Sequence, residues 1–171
     1  MRRLFERLGK SLKSVGHSHL RLRRGRLLSS ADAPDTEIKV ITLDVTGTLI
    51  SYKGSVGEWY CSAASRVGVA CVGCGEIEKG FKQAYDETCL EYPCFGGKAL
   101  LGKEWWRICV RRSFELAGHE IADPDKFERV FQRIYSLFGS PKIYDVCPDV
   151  IPFLIWAKRR GYVIGILSNS D

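Results

Sequence analysis

The chain has 171 residues, 45% of them hydrophobic and 27% charged, with a formal net charge of +6. No apolar run reaches the roughly 18 residues that a membrane-spanning helix needs, so no membrane span is expected. The charge is unevenly placed: residues 1–30 carry nine Lys and Arg against one Glu, and the remainder carries 17 basic against 19 acidic side chains, so the body gives no ground for a nucleic-acid partner.

The first segment, Met1 to Ser30, is Arg-rich, contains five serines and has almost no acid, which is the composition of an organelle transit peptide. Leu4, Phe5, Leu8, Leu12 and Val15 share one helical face, with Arg3, Arg7, Lys10 and Lys13 largely off it. An amphipathic cationic helix suits an organelle import machinery and a membrane potential. Arg26-Leu27-Leu28-Ser29-Ser30 also looks like a matrix-peptidase site, so the expected location is the mitochondrion, with chloroplast or cytoplasm as alternatives. A basic arm for nucleic acid or a lipid surface is the competing reading of the same composition. His17 and His19 belong to this leader and are not read as ligands. Ala31 to Glu37 is a polar, Pro-containing linker.

Lys39 to Ile50, KVITLDVTGTLI, then sets up the body. Val40, Ile41 and Leu43 are what a strand covered on both faces needs, and the run ends in Asp44 and the turn Thr46-Gly47-Thr48. At the carboxyl edge of an open α/β sheet, where ligands sit, such a carboxylate is useful. The plain alternative is a strand stopping in a polar turn, with Asp44 as a turn former. Periodicity next predicts helices over Val56 to Arg66 and Glu76 to Tyr92, a loop over Tyr92 to Gly102, and helices over about Lys103 to Leu116 and from an Asp123 N-cap to a Gly139 stop. Pro148 to Arg160 reads as a helix, and Tyr162 to Leu167 as a second buried strand that ends in Ser168-Asn169. Strand, helices, strand is a parallel crossover, so Asp44 and Ser168 are expected on one edge of the sheet.

The seven cysteines are Cys61, Cys71, Cys74, Cys89, Cys94, Cys109 and Cys147. An odd count in an α/β chain argues for reduced thiols over a disulfide framework. Cys71, Cys74, Cys89 and Cys94 would supply four thiolates for Zn²⁺, but the second pair is spaced by four and a predicted helix separates the pairs. We rank scattered thiols above zinc.

The wording D-x-T-G-T-L at Asp44 resembles the first motif of the haloacid dehalogenase (HAD) superfamily of aspartyl-phosphate hydrolases and transferases, and the strand ending in Ser168 resembles its second. GFKQAY at Gly80 to Tyr85, Trp105-Trp106 and LSNSD at Leu167 to Asp171 are similar to the haloacid dehalogenase-like hydrolase domain-containing protein three family. The resemblance implies an α/β fold: a HAD-like Rossmannoid parallel sheet, represented by its first two core strands, with an inserted α-helical cap. The implied organisation is a leader at 1–30, a linker at 31–37, core at 38–52, cap at 53–145 and core again at 146–171.

By the same resemblance Asp44 is the nucleophile that attacks phosphorus. Thr46 stands at the acid/base position, Thr48, Ser168 and Asn169 bind phosphate, and Asp44 with the backbone carbonyl of Thr46 ligates Mg²⁺. The substrate class is a small phosphorylated molecule. Thr46 departs from the pattern, since phosphatases of the superfamily usually carry a second Asp there and a threonine hydroxyl does not supply a proton near neutral pH. The superfamily also uses a Lys and one or two acids beyond the second strand, which leads us to expect a fragment, a truncated gene model or a splice product. Two classes follow: a Mg²⁺-dependent phosphohydrolase realised fully in a longer form, and a noncatalytic HAD-fold remnant or protein-interaction module.

Overall fold

A computed structural model describes residues 38–71 and 73–168. The leader with its histidines and cleavage site, the linker, and Asn169 to Asp171 lie outside the described residues. The chain divides into two compact units, one whose described part is 38–49 with 146–168, and one formed by 50–145. The fold is mixed α/β with parallel strands.

In the first unit, β1 (Val40–Leu43) and β4 (Val163–Ile166) pair in parallel, with Val40 opposite Val163 and Leu43 opposite Ile166. The ladder continues past both ends: the Val163 amide donates to the Lys39 carbonyl at 2.8 Å and the Leu167 amide to the Leu43 carbonyl at 2.9 Å. The helix before β4, α5 (Val150–Arg159), carries Lys158 and Arg159 in its last turn, where the negative end of the helix dipole favours them. Gly161, at φ +82°, closes it, and the Tyr162 amide reaches back to the Ala157 carbonyl. The unit buries Val45, Leu49, Val150 and Ala157.

The sequence reading of β1 and β4 as buried strands is corrected here. Val40 is 56% exposed, Val163 60% and Leu167 70%, so the apolar residues that predict cover on both faces meet no such cover among the described residues. Residue type records what a strand is adapted to, and burial depends on the neighbours actually present.

The second unit is helical apart from β2 (Ile50–Tyr52) and β3 (Tyr144–Val146), which pair as a short ribbon whose last residue lies at the unit's boundary. Its helices are α1 (Val56–Ser65), α2 (Cys74–Glu91), α3 (Gly102–Leu116) and α4 (Pro124–Phe138). α1 opens with a capping box: the Glu58 amide donates to Ser55 Oγ at 3.1 Å and the Ser55 amide to Glu58 Oε2 at 2.8 Å. α4 opens on Asp123, whose Oδ1 accepts from the amides of Lys126 and Asp125, with Pro124 in the first turn. These bonds, that to Lys126 foremost, hold the Asp123 carboxyl below its usual range.

Two glycines set how closely the helices approach. A Cβ on Gly57 would lie 2.1 Å from the Cys74 carbonyl, and one on Gly80 would lie 2.4 Å from that of Ser113. Glycine therefore lets α1 meet α2, and α2 meet α3, at backbone contact. The main core gathers Tyr60, Ala64, Ile77, Phe114, Val130 and Phe131. A second cluster forms around Ala84, Trp105 and Cys109, in which buried Trp105 donates from Nε1 to the Tyr92 carbonyl at 2.9 Å. The aromatic side chains of these helices, such as Tyr60, Phe114, Phe131 and Trp105, are thus packing surface.

The loop expected over Tyr92 to Gly102 contains a short 3-10 turn at Cys94–Gly96, with Cys94 and Phe95 both at φ near +54° (53° and 54°). Phe95 is held in that costly conformation by its ring packing edge-on to Trp105 at 5.0 Å. The expectation of reduced thiols throughout is also corrected, because Cys61 and Cys71 form a disulfide. It ties α1 to the segment before α2 and removes Cys71 from the four-thiolate zinc set. Among the described residues no three His, Cys, Asp or Glu side chains group as metal ligands.

Candidate active site

Asp44 follows the last residue of β1, and its side chain is exposed. Val45, only 1% exposed, and Leu49, 4% exposed, pin the turn on either side. Between them the Val45 carbonyl accepts from the amides of Thr48 at 3.3 Å and Leu49 at 2.8 Å, and Gly47 takes φ +82°, a conformation that side-chain-bearing residues rarely adopt. The alternation of anchored apolar residues and a tight turn leaves Asp44, Thr46 and Thr48 on the surface together.

The parallel register decides where Ser168 lies. Leu43 is opposite Ile166, so Asp44 and Val45 are opposite Leu167 and Ser168, and both polar residues stand at the carboxyl edge of adjacent strands. Ser168 is half-buried. Asn169, the other residue read as a phosphate donor, lies outside the described residues.

The donors available for a cation are the Asp44 carboxylate and the Thr46 backbone carbonyl, both hard oxygens. No ion pair to Asp44 is formed among the described residues. A Mg²⁺ ion is commonly bound by one or two carboxylates, with water and substrate phosphate completing its shell, so the set fits this ion in kind and at the lower end of number. The carboxylate is open to solvent at the sheet edge. What this edge lacks is a second carboxyl two residues on, where Thr46 stands.

The buried Cys109 thiol is not a competing nucleophile. Burial first, and then the neighbouring Cys89, push the Cys109 thiol up to about 12, so the thiolate is scarce near neutral pH. Ion pairs of the helical unit, such as Arg107 with Glu128 and Arg112 with Glu91, tie helices together. One group of basic residues escaped the sequence reading: Arg66, Arg133 and Lys142 line a common cleft. They are far apart in the chain, and no local spacing signals that they converge.

A family model described as haloacid dehalogenase-like hydrolase matches residues 38–171. The chain belongs to this family. Among the similar HAD-like proteins is the mouse haloacid dehalogenase-like hydrolase domain-containing protein 3, 31% identical over 136 residues, which are 79% of this chain and 53% of the mouse protein. The human protein of that name is 29% identical, with the same coverage. The HAD-like chain therefore spans about half the length of these two relatives. A solved structure of a dehalogenase aligns with a TM-score of 0.51 at 16% identity, over 81% of this chain and 54% of that one, a likeness of fold.

Proposed function

We propose that this HAD-like chain carries the nucleophile half of a Mg²⁺-dependent phosphohydrolase site for small phosphorylated substrates, and that the 171 residues alone do not turn over. The observation that supports it is the parallel register that sets Asp44 and Ser168 at one sheet edge. An Asp44 oxygen forms a bond to phosphorus as the bond to the leaving oxygen breaks, giving an aspartyl phosphate that water then hydrolyses. Thr48, Ser168 and Asn169 donate hydrogen bonds to the phosphoryl oxygens. Mg²⁺, held by Asp44 and the Thr46 carbonyl, would supply charge neutralisation to the phosphoryl group. Thr46 does not deliver the proton that the leaving oxygen needs, which slows the first displacement and the final hydrolysis alike. We also propose a mitochondrial location, resting on the charge and helical apolar face of residues 1–30.

The test is to extend the 171 residues by the C-terminal half of the mouse relative and assay a generic phosphate monoester. Mg²⁺-dependent turnover that disappears in Asp44→Asn is expected. Turnover indifferent to Asp44→Asn would remove Asp44 from the chemistry. A folded extended chain without turnover would favour the second reading, a noncatalytic HAD-fold remnant or interaction module, whose specific support is Thr46.

A further inference from the structure

Within the helical unit, a cleft of about 560 Å³ opens between α1, α4 and the turn Pro141–Ile143, and its lining includes Trp59, Ser62, Arg66, Arg133, Ser136 and Lys142. Among the described residues no carboxylate lines it. Arg66 caps the C-terminus of α1, Arg133 projects from α4, and Lys142 sits in the turn. None of the three forms an ion pair among the described residues, although thirteen other basic or acidic side chains on the same unit are paired. Three unpaired cations in one concavity stand out on a body that carries more acid than base outside residues 1–30.

The bland explanation is helix electrostatics, since Arg66 and Ser136 lie at the C-terminal ends of α1 and α4. Each such end carries roughly −0.5 of an elementary charge, so two ends offset about one of the three positive charges. A local charge of about +2 remains. Repulsion among the three cations is relieved when a dianion enters, and the guanidinium forks of Arg66 and Arg133 match the oxygens of a phosphate. The hydroxyls of Ser62 and Ser136 are further donors on the same wall. The organic part has its own surface: Trp59 is fixed by donation from Nε1 to the Lys53 carbonyl, and Leu137 completes the apolar lining. The volume is in the range of small-molecule sites.

We propose that this cleft binds a small phosphomonoester, its dianionic phosphate between Arg66, Arg133 and Lys142 and its organic part against Trp59. The site is separate in residues from Asp44 and does not rest on the hydrolase reading. It is tested by calorimetric titration of the 171-residue chain carrying Asp44→Asn, without Mg²⁺ and at low salt, with phenyl phosphate as probe and phenol as the uncharged control. Saturable binding of phenyl phosphate and none of phenol is expected. Arg66→Gln and Arg133→Gln should each weaken it about tenfold, and Lys98→Gln, outside the cleft, should not change it. Circular dichroism confirms that each variant is folded, and all three positions are exposed, so loss of fold is not the expected cause of lost binding. The proposal is overturned by no saturation at millimolar probe, by unchanged affinity in both arginine variants, or by binding to phosphatidic-acid vesicles or polyglutamate in preference to the probe.

Discussion

At the scale of single residues, two positions carry most of the packing argument. Trp105 is fully buried, packs against Tyr85, Phe95 and Trp106, and satisfies its indole with the Tyr92 carbonyl. Trp105→Ala is expected to cost about 3–5 kcal/mol, because it opens a cavity and leaves the Tyr92 carbonyl without this donor. Urea denaturation measures it, and a loss below about 1 kcal/mol would mean that the cluster collapses to fill the space. Cys109 gives a pH prediction. Burial raises its folded pKa from 9.0 to about 12, so its contribution to stability is present below 9 and is lost as pH rises toward 12. Cys109→Ala should therefore flatten the fall in unfolding free energy across that alkaline window. In native chain at pH 8, exposed Cys94 should alkylate well before Cys109, which peptide mass mapping reads directly.

Residue chemistry was also where the sequence was most and least readable. Asp44 announced itself because an acid at the end of VITL has no packing use. The Cys61–Cys71 pairing did not, since it depends on how the end of α1 faces the segment before α2, and spacing alone does not encode that. Arg66, Arg133 and Lys142 were silent for the same reason.

At the scale of elements, the helices followed from periodicity and caps to within about two residues. The expected helix at Val56 to Arg66 runs Val56–Ser65, and that expected at Glu76 to Tyr92 runs Cys74–Glu91. Asp123 caps α4 as read, and Gly139 follows its last residue. Local rules suffice there because each cap is satisfied by backbone groups within the next few residues. Close helix crossings are different, because the need for Gly57 and Gly80 is visible only once the partner carbonyls are in place. Gly80→Ala is accordingly expected to destabilise the chain by about 1–3 kcal/mol, since its methyl group would meet the Ser113 carbonyl and not a flexible side chain. Ser55→Ala should cost about 1 kcal/mol through loss of the capping box. Both are read from denaturation midpoints, and a neutral Gly80→Ala would show that α2 and α3 separate at little expense.

At the scale of the whole molecule, the parallel pair β1–β4 carries the family's expected site and also a run of exposed apolar residues, with Ile38, Val40, Val163, Ile166 and Leu167 all substantially exposed. Strand edges and uncovered apolar faces of this kind favour association. Light scattering of the 171-residue chain should show mass rising with concentration, and Val163→Lys should suppress the rise. A monodisperse monomer at all concentrations would contradict this expectation.

The α/β class and family membership were legible from two strand ends and the helical stretch between them. Cover of the strands was not, because apolar composition specifies a need and not the partner that meets it. The same gap governs chemistry. Asp44 and Ser168 share an edge, and in the proposed reading the 171 residues include neither the Lys nor the further acids that the superfamily resemblance implies, while Thr46 stands where it implies a proton donor. Each missing electrostatic contact typically costs on the order of 3 kcal/mol, or about a hundredfold in rate, and the losses fall on one task without adding simply. The most direct measurement is Mg²⁺-dependent turnover of a generic phosphate monoester by the 171-residue chain beside its Asp44→Asn variant. Equal rates are predicted, and turnover clearly above the variant would contradict the account.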